Sequence, residues 1–138
     1  MKLPALLLAW CLCGLAQAGG ADGDAAYRLG LSYRNGIGVA ADSAKAVQWL
    51  ELAARRQVPA AMFILSNMLA AGEGVAADRK AARTWLEAAA ELEYPEALQA
   101  LALSEPDPAR AAQLMKEAEH ALRHRGRATW PAAPTQTD

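Results

Sequence analysis

Cysteine is almost missing from this chain: Cys11 and Cys13 are its only two among 138 residues. Both lie in a segment that reads Lys2, an apolar stretch over residues 3–15, and Ala16-Gln17-Ala18 ahead of Gly19-Gly20. That is the layout of a secretory signal, with cleavage expected after Ala18. Removal of residues 1–18 leaves no thiol, which excludes disulfides, zinc thiolates and cysteine nucleophiles together. Trp10 and Leu12 precede the cysteines where a lipoprotein signal needs a small residue, so a lipid anchor is not expected. Long hydrophobic runs are lacking too. The apolar stretch is 13 residues, short of the roughly 20 that span a bilayer. No stable membrane insertion is expected after cleavage, and the expected location is periplasmic or secreted.

Excess charge is equally scarce. The formal net charge is −1, and Lys2 is the only charged residue lost with the signal. Nothing here drives the chain toward nucleic acid or an anionic membrane. Alternating β-branched runs are nearly absent, whereas alanine-rich segments with apolar residues three and four apart dominate. The pattern predicts an all-α chain.

What is present is a repeat. Asn35-Gly36-Ile37-Gly38-Val39-Ala40-Ala41-Asp42 returns 36 positions later as Ala71-Gly72-Glu73-Gly74-Val75-Ala76-Ala77-Asp78. The echo includes Ala25, Leu29, Ala46, Trp49, Leu50 and Pro59, matched by Ala61, Leu65, Ala82, Trp85, Leu86 and Pro95. A fixed period of this size marks stacked repeats. Six helices in three hairpins are expected, with repeats of about 24–59, 60–95 and 96–125 forming a helical domain over residues 19–125. The first helix is expected over 24–35 with Asp24 as its N-cap, the second over 43–57 and the fourth over 79–93. Gly36 and Gly72 sit just past helix ends, where a left-handed backbone suits glycine, and Gly38 and Gly74 complete the turns. Asp42 and Asp78 precede the second helices as N-caps, and Pro59 and Pro95 open the next hairpins. In the third copy Ser104-Glu105-Pro106-Asp107-Pro108 replaces the long turn, shortening the unit by about seven residues. A last helix is expected over about 109–125, and residues 126–138 read as a disordered tail. Trp130 stands in that tail, either folding back or offering an anchor to a partner.

Leu29-Gly30, Tyr33, Gly36, Gly38-Val39, Asp42, Lys45-Ala46, Trp49 and Ala53-Ala54 together resemble the Sel-one-like repeat, a relative of the tetratricopeptide repeat with a longer turn. The second copy keeps Leu65, Gly72, Gly74, Val75, Asp78, Ala82, Trp85, Ala89 and Ala90, but has Ser66 and Leu69 in place of the glycine and tyrosine. The resemblance implies an α-solenoid of three antiparallel hairpins whose third repeat is shortened. It implies a non-catalytic adaptor or regulator, since exported bacterial relatives often serve signalling or envelope assembly. A second reading also comes from the resemblance: cysteine-rich relatives are linked with penicillin-type ligands, which suggests a binder or hydrolase of cell-wall fragments or β-lactams. Those relatives rely on paired cysteines that this chain lacks after cleavage. Delivery as an effector outside the cell is a third reading.

Residues of the types that carry chemistry read as structural. Trp49 and Trp85 recur at one repeat position and are expected to be sealed between hairpins. Glu51 and Glu87 also recur, which argues against an acid–base pair, because repeats offer similar environments. Glu91, Glu93 and Glu96 read as a charged face. His120 and His124, four apart and in line with Glu117, have a spacing that can hold a metal. Against this, Ala121 stands where a zinc protease needs glutamate, and Arg123, Arg125 and Arg127 make the neighbourhood cationic. No metal and no cofactor are expected. The glycine pairs follow helices, the wrong context for a dinucleotide, and no nucleophile elbow or phosphate loop is present.

Transferring the register of the tetratricopeptide superhelix through Leu29 and Leu65 places Tyr27, Arg28, Leu31 and Arg34 on a concave face. Phe63, Ile64 and Asn67 follow, and Gln99 and Leu103 continue it. Apolar anchors beside two arginines suit a peptide with apolar and acidic side chains. Tyr27 and Phe63 equally suit the closing of a hairpin, and Arg28 and Arg34 equally suit solvent. The expected partner is a protein or peptide of the cell envelope, and exposed terminal faces make self-association plausible.

Overall fold

In the computed structural model, which describes residues 19–128, the alanine-rich segments form six helices in three hairpin pairs. They are α1 (Gly19–Asn35), α2 (Ser43–Arg55), α3 (Pro59–Ala71), α4 (Arg79–Glu91), α5 (Pro95–Ser104) and α6 (Pro108–Ala128). The signal segment and Trp130 lie outside the described residues. No helix among the described residues is long and apolar enough to cross a membrane.

Local chemistry explains most helix ends. The Asp42 carboxylate accepts a hydrogen bond from the Lys45 amide at 3.1 Å, and that of Asp78 accepts one from the Ala81 amide at 3.0 Å. Each satisfies a donor that the first helical turn leaves free. Asp107 does the same for Ala109 at 3.1 Å. Pro59 and Pro95 occupy the first turns of α3 and α5, where a missing amide is harmless.

The two long turns are built alike. Gly36 and Gly72 adopt φ of 67° and 72°, and Gly38 and Gly74 both adopt 72°. The Ile37 amide donates to the Ser32 carbonyl at 3.0 Å and the Asp42 amide to the Tyr33 carbonyl at 2.8 Å. Glu73 to Met68 at 2.9 Å and Asp78 to Leu69 at 2.9 Å repeat the pair. These bonds fold each turn back over the end of its helix, so the following N-cap is delivered at a set place.

Four helix boundaries differ from expectation. Asp24 is not an N-cap: α1 starts at Gly19, and Asp24 lies inside it. The extra turn is held by tertiary contacts, because Gly23 is buried against Val58 and Arg56, and Asp22 pairs with Arg56 at 3.1 Å. Helices α2 and α4 each stop two residues early, since Gln57 and Glu93 take left-handed φ of 63° and 55° in the short turns. Helix α6 runs to Ala128, three residues into the stretch expected as tail.

The chain divides into two compact units, one ending at Trp85 and the other starting at Leu86. In the first unit, Leu50, Met62, Leu65 and Met68 are the largest fully buried side chains, packed among buried Ala46, Ala53, Ala54 and Ala61. Small residues allow this close approach. A Cβ at Gly30 would fall 2.7 Å from Leu50 Cγ, so glycine is what lets α1 settle on α2. In the second unit, Leu98, Ala118 and Ala121 form the centre, with Ala90 and Leu114 packed against them. Trp49 and Trp85 are only half-buried, which corrects the expectation of sealed indoles. A side chain of that size is rarely enclosed completely, and alanine-lined helices leave it at the margin while leucine and methionine fill the centre.

Candidate interaction surface

Helices α1 and α3 are tied to each other near both ends. At their starts, Gly23 of α1 meets the Val58 side chain just ahead of α3. At their finish, Arg34 forks onto Glu73, with Nε to Oε1 at 3.0 Å and Nη2 to Oε2 at 3.1 Å. A two-pronged guanidinium–carboxylate pair sets geometry as well as energy. The turn that carries Glu73 also rests on α2, because a Cβ at Gly74 would run into the Ser43 carbonyl.

The residues expected on α1 and α3 all lie in the first unit. Tyr27, Leu31, Phe63 and Ile64 are half-buried, so each covers apolar neighbours while keeping an open side. Arg28 and Asn67 are exposed. Residues 27, 28 and 31 and residues 63, 64 and 67 are equivalent sets one repeat apart, hence two matching stripes. Arg34 is different: its side chain is one-third exposed and occupied by Glu73, so it is a brace and not a free cation. Gln99 and Leu103 lie on α5 in the second unit, where Gln99 is half-buried and Leu103 is 83% exposed.

Sequence reasoning missed Glu73. The available signal was its departure from Ile37, the equivalent residue of the first turn, since a charge replacing an apolar residue at a repeat position implies a new partner. A second missed feature lies in the second unit. Glu93, Gln113, Lys116, Glu117 and His120 surround a cleft of about 250 Å³ floored by Ala90 and Leu98. Close by in sequence, Arg125 forks onto Glu96 at 2.8 and 3.0 Å and lies 4.9 Å from the centre of the Tyr94 ring. The hydrogen bonds from Arg125 hold the Glu96 carboxyl below its ordinary value, with burial opposing them, and Glu96 in turn raises Arg125. Among the described residues no three histidine, cysteine or acidic side chains gather into a metal-sized cluster.

The pattern of the Sel1 repeat matches residues 23–58 and 59–94. The chain belongs to the Sel1 repeat family. Members of this family are usually non-enzymatic scaffolds that bind proteins. Among solved structures, the chain is similar to a Sel1 repeat protein from Oxalobacter formigenes, with 26% identity and a TM-score of 0.70 over 80% of this chain and 48% of the other. It is also similar to a protective antigen of uropathogenic Escherichia coli that displays an SLR fold, with 31% identity and a TM-score of 0.67 over 75% of this chain and 24% of the other. This Sel1 chain thus spans about half the length of the first and a quarter of the second. No curated protein matches it. The Sel1 matches cover the first two repeats, while α5 and most of α6 belong to the third, shortened unit.

Proposed function

We propose that this Sel1-repeat protein is an exported interaction module, periplasmic or secreted and without catalytic activity, that binds a peptide or protein across the stripes of α1 and α3. The observation that supports the reading is the set of half-buried apolar side chains, Tyr27 and Leu31 on α1 and Phe63 and Ile64 on α3, on two helices tied together at both ends. Such side chains offer contact area already ordered by the fold, which lowers the entropic cost of binding. Arg28 adds a free cation at the rim, so one acidic side chain in the partner fits better than the two that a free Arg34 would have invited. Export rests on the signal-like residues 1–18, and on their removal after Ala18.

Photo-crosslinking in living cells tests the surface. A photoreactive residue at position 28 or 67 should capture a discrete envelope partner, and one at the exposed Gln48 of α2 should not. Equal capture from position 48 would refute the placement. Sequencing of the amino terminus of the protein recovered from the periplasm or medium should begin at Gly19, and a chain still starting at Met1 would refute processing.

A further inference from the structure

We propose that His120 and His124 form a chelating site for a late first-row divalent cation, with copper(II) bound most tightly. The two residues are one helical turn apart on α6, both exposed, and their Nε2 atoms face each other at 3.1 Å. Their ring centroids are 4.3 Å apart with the planes tilted by 52°. Two metal–imidazole bonds of about 2.0–2.1 Å meeting at roughly 100° set the nitrogens about 3.1 Å apart. The spacing of the pair is therefore already the bite of a chelate. Without metal the same approach is bridged by one ring hydrogen. With metal both rings carry their hydrogen on Nδ1 and direct an Nε2 lone pair to the ion.

Two of the three arginines that weigh against metal in the sequence are paired in the fold. Arg125 is engaged by Glu96 at 2.8 Å, and Arg123 has Glu119 at 3.6 Å. His120 also opens onto the cleft of the second unit, where Glu93 and Glu117 supply negative charge and Lys116 the one cation of the lining. Glu117 accepts a hydrogen bond from Gln113 at 3.0 Å, and among the described residues no third histidine, cysteine or acidic group joins the pair, so Glu117 is an outer carboxylate. Two protein donors leave the other coordination positions to water or to a donor group from a bound molecule. Nitrogen donors and an open sphere select for copper(II) over nickel(II) and zinc(II), and against calcium and magnesium.

The experiment uses the full chain without a polyhistidine tag, titrated with copper(II), nickel(II) and zinc(II) and followed by calorimetry, visible absorption and melting. One copper ion per chain is expected, with the absorption band of nitrogen-ligated copper and a raised melting temperature. Either His120→Ala or His124→Ala should weaken binding at least about tenfold, because the second donor of a chelate acts at high effective concentration. Both side chains are exposed, so the variants should keep the helical circular dichroism of the parent, and this is checked first. Undiminished copper affinity in the double variant, or in either single variant, overturns the site and places the ion elsewhere, such as at the terminal amine. Calcium bound as tightly as copper overturns it as well.

Discussion

Gly38 and Gly74 are equivalent by sequence, lie 36 residues apart and share a φ of 72°. Alanine at either position must adopt a left-handed backbone, which costs about 1–2 kcal/mol. There the equivalence ends. A Cβ added at Gly38 meets nothing within 4 Å, whereas one added at Gly74 would run into the Ser43 carbonyl and lie 2.7 Å from Ser43 Cβ. The obstacle is largely main chain at the start of α2, which cannot swing aside as a side-chain tip does. Overpacking of this kind adds about 1–3 kcal/mol. Gly38→Ala should therefore destabilise by about 1–2 kcal/mol, and Gly74→Ala by roughly 2–5 kcal/mol. Urea melts followed by circular dichroism measure both. At about 4–8 °C per kcal/mol, the Gly74 variant should also melt at least about 4 °C below the Gly38 variant. Equal losses would mean that the second turn does not rest on α2, and the brace of Arg34 on Glu73 would lose its support.

Asp42→Ala and Asp78→Ala should each lower stability by about 1 kcal/mol in denaturant melts, and Asp24→Ala much less, because Asp24 is no cap; a comparable loss at Asp24 would contradict the observed start of α1. Leu65→Ala removes a fully buried side chain and should cost about 2–5 kcal/mol. Trp49→Ala, at a half-buried position, should cost less than Leu65→Ala, and the reverse order would restore the sealed indole. Glu96 has a folded value held below the ordinary 4.5 by Arg125. Its contribution is complete above the unfolded value and disappears as pH falls through the folded one. The stability advantage of the parent over Glu96→Gln should therefore shrink as the pH is lowered from about 5 to about 3. An advantage that stays constant over that range would show that the charge is not what the pair contributes.

Much of this architecture was legible because it depends on neighbours in sequence. A carboxylate three residues ahead of a free amide caps a helix wherever it occurs, as at Asp42 and Asp78. Glycine at the left-handed positions 36, 38, 72 and 74 announces a turn, and proline at 59 and 95 a first helical turn. The period of 36 then multiplies each local signal, which is why six helices and their family could be read from the chain. Glutamine and glutamate at the left-handed positions 57 and 93 gave no comparable warning, so two helix ends were placed too late.

Distance in sequence hid the rest. Arg34 as a free groove cation and Arg34 as a brace on Glu73 are the same residue in the same helix, and only the approach of a turn 39 positions away decides between them. The same holds for Asp24, displaced as a cap because Gly23 finds Val58 and Arg56, and for the indoles, left at the margin by leucine and methionine. Periodicity and capping specify which segments are helical and where they turn, because those energies arise within a few residues. Which side chains are covered, which charges are paired and which glycines admit no Cβ follow from how the helices pack, since only packing brings the deciding atoms together.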